Sequence, residues 1–276
     1  MLNKIILGTA NFTQAYGILS EHKCLNSKEV NYILAKAIDQ GLCTIDTALS
    51  YGDLTEFISS DVLKKLKIIT KISALDDKNT LLKKMNTYKG LPMNGLLVHD
   101  PSNISSVNES DLNDKLDLLK QTYGIEKIGV SAYDIQDIES FSRIRTPEIV
   151  QIPMNPLNQS FDSPSFIEWA QNNKIEVHAR SLFLQGVLLS ETLPQKLEPL
   201  SKDWIEVKRV LQSYSSPLHG LMAWAGSKNW IHNWVLGVSS SSDLDEILEA
   251  SSSVKNMGGI PLFQASSHPL ADPRNW

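Results

Sequence analysis

Short runs of apolar residues recur along the whole chain, and more polar segments separate them. Eight runs are nearly continuous in apolar character, and they span residues 5–9, 43–46, 68–72, 95–100, 128–132, 149–153, 175–180 and 234–239. A strand that is covered on both faces has this character, whereas a strand with one face in water alternates between apolar and polar residues. The pattern therefore predicts eight buried strands.

Segments with helical periodicity lie between many of these runs. Residues 27–41 open with a candidate cap at Ser27 and close on Gly41, and five apolar side chains fall on one helix face: Val30, Ile33, Leu34, Ala37 and Ile38. Residues 110–124, 134–143, 163–173 and 241–253 have the same character. The stretch 187–233 is longer than one crossover needs, so we expect it to contain extra helices.

Strands that alternate with helices form a parallel sheet with crossover connections. For a chain of 276 residues, we predict a single α/β domain over residues 1–276, folded as a (β/α)8 TIM barrel. An open, doubly wound sheet is the alternative. It is disfavoured because no GxGxxG motif follows the first strand.

Composition and charge narrow the function classes. The net charge of −5 is mild and argues against nucleic-acid and membrane surfaces as partners, and no stretch approaches eighteen apolar residues. Cys24 and Cys43 are the only cysteines, which indicates reduced thiols and a cytoplasmic protein. The N-terminal residues lack the apolar region of a signal peptide. The histidines lack metal-ligand spacing, so we predict no metal site.

Four ionisable side chains stand at or just beyond the ends of three successive predicted strands. Asp46 ends the second strand, and Tyr51 follows it within the stretch TIDTALSYGDLTE. Lys71 lies in the third strand and His99 closes the fourth. Taken singly, each has an ordinary structural interpretation as a cap, rim or core residue. In a barrel, however, chemistry takes place where the carboxyl ends of the strands meet, and buried charges are costly unless they pair. The joint placement therefore favours a catalytic site.

These residues belong to a wider pattern that resembles the aldo-keto reductases, a barrel family that uses NAD(P)H. The matching positions are Gly8-Thr9, Asp46-Thr47-Ala48, Tyr51-Gly52, Glu56, Lys71 and His99. Similarity continues in order through IGVSAYD, VQIPMNPLNQ, ARSLFLQG and LGVSSSSDLDEIL, so it spans nearly the whole chain. Some stretches of the sequence, such as TANFTQAYGIL, look most like bacterial members of the family that are associated with surface-sugar or secondary metabolism.

The resemblance implies reduction of an aldehyde or ketone to an alcohol. Tyr51 would be the general acid, and Lys71 would lower its pKa from an ordinary value of about 10. Asp46 would hold Lys71, and His99 would orient the substrate carbonyl. A non-catalytic, cofactor-binding barrel that serves as a regulatory or scaffold subunit is the alternative. An isomerase that keeps its cofactor through an internal redox cycle is a second one.

The resemblance also implies a set of cofactor contacts: Gly8, Thr9, Asp46, Ser131, Gln151, Arg180, Ser181, Leu182, Gly186, Gly237, Ser239, Ser240, Asp243 and Glu246. Ala132 stands where many relatives have asparagine, and Arg180 where many stack an aromatic ring on the nicotinamide. Gly237 and Asp243 stand where relatives that prefer NADPH often have basic residues. NADPH is the family default, but these positions make NADH a second expectation.

Similar proteins fold a C-terminal loop over the barrel mouth, which here would be the tail GGIPLFQASSHPLADPRNW. The expected substrate contacts are Phe12, Tyr16, Tyr51, His99, Phe183, Arg274 and Trp276. The expected partner is a small carbonyl compound, sugar-derived or otherwise polar. The sequence leaves the oligomeric state open.

Overall fold

Eight parallel strands close into a barrel in the computed structural model, which describes residues 1–13, 17–19, 24–253 and 261–276. The strands are β1 (Ile5–Gly8), β2 (Thr44–Asp46), β3 (Lys67–Ile72), β4 (Met93–Val98), β5 (Lys127–Ser131), β6 (Ile149–Pro153), β7 (Glu176–Arg180) and β8 (Asn233–Gly237). Each strand pairs with the next in the chain, and β8 pairs with β1. The predicted (β/α)8 barrel is confirmed, and the open sheet is wrong.

Ten α-helices accompany the strands within the described residues. They are α1 (Ala10–Thr13), α2 (Ser27–Asp39), α3 (Ser60–Leu63), α4 (Lys78–Met85), α5 (Glu109–Tyr123), α6 (Ile135–Ser142), α7 (Pro164–Asn172), α8 (Ser201–Leu211), α9 (Pro217–Ser227) and α10 (Ser241–Ser253). The predicted extra helices between β7 and β8 are α8 and α9. The sequence pattern did not single out α1, α3 and α4. No helix of the described residues is long and apolar enough to cross a membrane.

The start of α2 differs by one residue from the expected cap. Asn26, and not Ser27, caps this helix: its side chain accepts hydrogen bonds from the backbone N–H groups of Lys28 and Glu29. The Glu29 carboxylate accepts in return from the Asn26 N–H, which completes a capping box. Ser27 instead donates its hydroxyl to the Phe57 carbonyl.

Alternate residues of each strand point into the barrel. According to their position along the strands, these side chains form three layers. The middle layer is apolar and consists of Ile6, Ile69, Leu97, Ile149 and Val235. At the amino-terminal ends of the strands, Glu176 pairs with Lys127 and with His178. At the carboxyl-terminal ends lie Asp46, Lys71, Gln151 and Arg180. The middle layer therefore separates a structural polar cluster from the candidate site.

The described part of the C-terminal tail, residues 261–276, lies against the carboxyl-terminal side of the barrel. The Ser266 N–H donates to the Leu157 carbonyl at 2.9 Å, and the Gln159 amide donates to the Phe263 carbonyl at 3.2 Å. Arg274 reaches Tyr133, which follows β5. The tail thus contributes to the rim of the barrel mouth.

Candidate active site

The centre of the site is a buried ion pair between Asp46 and Lys71. The Lys71 ammonium lies 2.5 Å from Asp46 Oδ2 and donates to the Thr47 carbonyl at 3.0 Å. The Gln151 amide donates to Asp46 Oδ1 at 2.7 Å. Burial lowers the pKa of Lys71, and the Asp46 carboxylate opposes this by favouring the charged form. Because only 3% of Lys71 and 5% of Asp46 is exposed, each charge depends on the other.

Tyr51 and His99 lie beside this ion pair. Tyr51 ends a 3-10 helix, Leu49–Tyr51, and the chain then turns at Gly52, whose φ of 100° favours glycine. The His99 N–H donates to the Ile72 carbonyl at 2.8 Å, which fixes the end of β4 beside β3. The Tyr51 and His99 rings meet edge to face with centroids 6.0 Å apart, and Lys71 Nζ lies 5.8 Å from the Tyr51 ring centroid.

All four side chains, Asp46, Tyr51, Lys71 and His99, line one cavity of about 340 Å³ at the carboxyl ends of the strands. Asp46 and Lys71 lie in β2 and β3, Tyr51 ends the 3-10 helix after β2, and His99 follows β4. The order β2-β3-β4 in the sheet brings them together. The arrangement combines a phenol with an ammonium, a carboxylate and an imidazole. Such a set can donate a proton to a bound oxygen and hold that oxygen in place.

The pKa of His99 lies well below its ordinary value. Burial lowers the pKa of His99 from 6.5 to about 4, and the Lys71 ammonium adds to this effect. The imidazole is therefore uncharged at neutral pH. In that form one ring nitrogen donates a hydrogen bond and the other accepts one.

The low pKa of His99 makes protein stability depend on pH in a defined window. The folded protein binds this proton less readily than the unfolded chain does, so the contribution of His99 is fully present above pH 6.5 and is lost as pH falls toward 4. We expect the thermal unfolding midpoint to fall across this window. His99→Gln should flatten that part of the curve, as measured by circular dichroism. Equal slopes for the two proteins would contradict this prediction.

One wall of the cavity carries almost no side chains. Gly8 and Gly237 are register partners on β1 and β8, and a Cβ atom on Gly237 would lie 3.5 Å from the Asn11 amide nitrogen. Thr9 continues this wall, and its N–H donates to the Asp46 carbonyl at 2.9 Å. The bare wall leaves room for an extended ligand to lie along the strand ends.

The opposite side of the cavity offers polar groups. Ser131 and Gln151 are register partners on β5 and β6, and the Ser131 hydroxyl donates weakly to Gln151 Oε1 at 3.4 Å. Both residues line the cavity beside Asp46. An amide-bearing ligand could bond to these side chains.

The loop after β7 has an unusual backbone. Ser181, Leu184 and Gln185 all have positive φ values, of 66°, 47° and 53°, and Gly186 follows at 89°. Such a run is costly for non-glycine residues and is held here by its surroundings, since the Gln185 amide oxygen accepts from the Ile18 N–H at 3.0 Å. Ser181, Leu182 and Gly186 line the cavity, as the resemblance implied.

The far end of the cavity lies at the start of α10. Ser239, Asp243 and Glu246 line it, but Ser240 does not. Ser240 instead caps the helix: its hydroxyl donates to Asp243 Oδ1 at 2.6 Å and accepts from the Asp243 N–H at 3.0 Å. The other Asp243 oxygen accepts from the Ser239 N–H at 2.7 Å. Asp243 is therefore both a capping residue and a negative charge on the cavity wall.

Three of the expected substrate contacts, Phe12, Arg274 and Trp276, do not line the cavity. Phe12 is fully buried in the main apolar core and does not line the cavity, because successive helical residues point in different directions and its neighbours Ala10 and Asn11 face the cavity instead. Trp276 packs on a second apolar cluster and donates to the Leu270 carbonyl. Phe183 lines the cavity, and Tyr16 lies outside the described residues.

The sequence prediction missed Tyr133, which lines the cavity two residues after Ser131. Its ring lies between two guanidinium groups, with Arg180 Cζ at 4.1 Å and Arg274 Cζ at 4.0 Å from its centroid. Arg274 thus lies at the rim and reaches the cavity only through Tyr133. Other missed lining residues are Ala10, Asn11, Gln185, Leu189, Leu218, Val235 and Ile247. No group of His, Cys, Asp or Glu side chains in the described ranges could hold a metal ion.

Comparison with known proteins identifies what this chain resembles. The sequence model of the Aldo/keto reductase family matches residues 4–257. The holo form of an aldo-keto reductase from Bacillus halodurans aligns with a TM-score of 0.68 at 13% identity, over 95% of this chain and 94% of that one. A structure from Pseudomonas aeruginosa, assigned to the aldo-keto reductases, aligns with a TM-score of 0.63 at 17% identity, over 91% and 90% of the two chains. These structures share the fold. No curated protein sequence matches.

Proposed function

The chain belongs to the aldo-keto reductase family, a class of NAD(P)H-dependent oxidoreductases that reduce carbonyl compounds, and on this premise we propose that Tyr51 is the proton donor of its reaction. The observation that carries the proposal is the convergence of Asp46, Tyr51, Lys71 and His99 on one cavity. Carbonyl reduction needs a proton donor and an oxygen-holding group beside the hydride donor. These four side chains supply both.

Tyr51 gives its hydroxyl proton to the carbonyl oxygen as that oxygen gains negative charge. A phenol is a weak acid near neutral pH, so its anion needs a nearby positive charge. Lys71, with its ammonium 5.8 Å from the ring centroid, provides this charge. Asp46 holds the ammonium in place at 2.5 Å, and Gln151 and Thr47 fix the pair from either side.

His99 orients the carbonyl. Because its pKa is about 4, the imidazole is neutral and donates a single N–H to the substrate oxygen. A neutral donor does not compete with Tyr51 as the acid, and it does not create a second positive charge beside Lys71. The two side chains thereby hold the oxygen from different directions, which limits the orientations from which hydride can arrive.

The residues fit a nicotinamide dinucleotide. When bound, this cofactor supplies the hydride. Ser131 and Gln151 would hold the carboxamide, the bare wall at Gly8 and Gly237 would accommodate the ring and ribose, and the loop 181–186 would face the pyrophosphate. The adenosine would lie at the start of α10, near Glu246.

NADH is the preferred cofactor in this proposal. Two carboxylates, Asp243 and Glu246, line the α10 end of the cavity. The lysine and arginine side chains that the described residues contribute to the lining, Lys71 and Arg180, lie on β3 and β7 instead. A 2′-phosphate would meet negative charge there, whereas a 2′-hydroxyl could donate a hydrogen bond to a carboxylate.

Asp243→Asn should strengthen NADPH binding about fivefold, since like charges about 4 Å apart in water repel by about 1 kcal/mol. The asparagine oxygen can still accept from the Ser239 N–H, so the helix cap is kept. Fluorescence titration gives the Kd values. Asp245→Asn is the matched control, because Asp245 pairs with Lys36 and does not line the cavity. Tighter binding of NADPH than NADH by the wild type would contradict the proposed preference.

The substrate is a polar carbonyl compound, of the kind derived from sugars. Around Tyr51 and His99 the cavity presents Tyr133, Arg180 and Gln151 as further polar side chains. The function is tested by incubating the protein with NADH or NADPH and hydroxylated aldehydes. We expect loss of reduced cofactor with one alcohol formed per cofactor oxidised. Cofactor binding without oxidation by any carbonyl would contradict the proposal and favour a binding protein.

A further inference from the structure

Arg180 stands at the end of β7, and its guanidinium lines the cavity. Its Cζ atom lies 4.1 Å from the Tyr133 ring centroid, and the Arg274 Cζ atom lies 4.0 Å from the same centroid. Cations are attracted to the faces of aromatic rings, so the ring is held between the two cations. The stack Arg180–Tyr133–Arg274 therefore fixes the direction in which Arg180 presents its charge.

Among the residues that the structure describes, Arg180 has no carboxylate partner, whereas its neighbours do. Lys71 is paired with Asp46, and Arg274 is paired with Asp272 through two bonds of 2.8 and 2.6 Å. Arg180 has two long bonds of 3.4 Å, to the Ser181 hydroxyl and the Ala132 carbonyl. Within the part of the chain that the structure describes, no carboxylate forms an ion pair with it.

The positive charge of Arg180 also affects the pKa values of two of the proposed catalytic residues, Lys71 and His99. Burial is the main cause of the lowered pKa values of Lys71 and His99, and the positive charge of Arg180 lowers both further. A half-buried guanidinium without a carboxylate is an unfavourable arrangement until an anion arrives. Its planar donors suit the two oxygens of a carboxylate or phosphate group.

We infer that the substrate carries an anionic group, a carboxylate or a phosphate, in addition to its carbonyl, and that Arg180 binds this group while Tyr133 and Arg274 hold Arg180 in place. This inference rests on the proposed function and specifies its substrate class. Arg180 touches the substrate, and the other two are positioning residues. The other anion that could meet Arg180 is a phosphate of the cofactor, and the test separates the two.

The test compares two aldehydes, 4-carboxybenzaldehyde and its methyl ester, which differ in charge and by one methyl group. The measured quantity is the ratio of their kcat/KM values, so that a general loss of activity cancels. We expect the wild type to favour the acid by about 10- to 100-fold, the range of a hydrogen bond to a charged group. Arg180→Met should reduce the ratio to near one, mainly through the KM of the acid.

Matched variants separate the effect of the Arg180 charge from the effect of how Arg180 is held in place. Arg180→Lys keeps the charge but loses the planar fork, and should give an intermediate ratio. Tyr133→Phe keeps the stack and should keep the ratio, whereas Tyr133→Leu and Arg274→Met should lower it. Arg209→Met is the control, because Arg209 is exposed on α8 and pairs only with Glu206 among the described residues. It should behave as the wild type does.

A second readout does not depend on turnover. The alcohol 4-(hydroxymethyl)benzoate should raise the unfolding temperature of the wild type more than benzyl alcohol does, and this difference should disappear in Arg180→Met. Reduction of both aldehydes with equal efficiency, or stabilisation by the anion in both proteins, would overturn the inference and leave the proposed function intact. If Arg180→Met bound the cofactor more weakly but kept the ratio of the two aldehydes, Arg180 would bind a cofactor phosphate. That result would also overturn the inference. If neither aldehyde were reduced, the proposed function would be judged with the hydroxylated aldehydes, and the stabilisation by the anion would still decide the inference.

Discussion

Tyr51→Phe should lower kcat about 100- to 10,000-fold, the range that a positioned acid contributes, while the Kd for reduced cofactor changes by less than about threefold. The variant removes one hydroxyl and keeps the ring that meets His99 edge to face. Its fold should therefore be unchanged. Fluorescence titration gives the Kd, and the rate of cofactor oxidation with any accepted aldehyde gives kcat.

A tyrosine elsewhere on the barrel provides the control for this experiment. Tyr32 is 61% exposed on α2, so Tyr32→Phe removes the same hydroxyl from a surface position and should leave kcat unchanged. If Tyr51→Phe turned over at the wild-type rate, the proton would have to come from another group, and the role given to Tyr51 would be wrong.

Lys71→Met should cost both activity and stability. It leaves the Asp46 carboxylate buried without its cation, and breaking a buried ion pair on one side typically costs about 3 to 5 kcal/mol of unfolding free energy. The Gln151 amide still donates to Asp46, so we expect the lower part of this range. Urea denaturation measures the loss, and the same protein should show a kcat reduced about 100-fold or more because Tyr51 has lost its neighbouring cation.

The double variant Asp46→Asn/Lys71→Met separates these two effects. Replacing both charges with neutral side chains of similar size removes the unpaired carboxylate, so most of the lost stability should return. Activity should not return, because the cation is still missing. Recovery of turnover together with stability would contradict the role given to Lys71 and would indicate that the pair serves only the fold.

The barrel could be predicted because its strands are buried on both faces and therefore stand out as short apolar runs. Helix α4 could not be predicted in this way, because only two of its eight residues, Leu81 and Met85, are buried and the segment is otherwise polar. The cap of α2 was displaced by one residue because Asn26 and Ser27 are both good caps, and the reciprocal bond from Glu29 decides between them. Such choices depend on local geometry that residue types alone do not specify.

Some residues of the candidate site could likewise be placed from the sequence, and others could not. Residues at strand ends, such as Lys71 and Gln151, could be placed because strand order and the closed barrel determine where they meet. Phe12 was misplaced because a single turn of helix decides which of its neighbours faces the cavity. The stack around Tyr133 could not be foreseen, since Arg180 and Arg274 are 94 positions apart and meet only through the packing of the tail. The tyrosine in the stretch SAYD, close behind a strand-end serine, was the available signal.

In the proposed reaction, hydride passes from a nicotinamide cofactor to a carbonyl in the cavity while Tyr51 supplies the proton. It is tested most directly with reduced cofactor that carries deuterium on the transferred position, and with an aldehyde that the protein accepts. We predict one deuterium on the carbinol carbon of each alcohol formed by the wild type, with one cofactor oxidised, and almost no alcohol from Tyr51→Phe. Conversion without net oxidation of cofactor, or an alcohol without deuterium, would contradict this account.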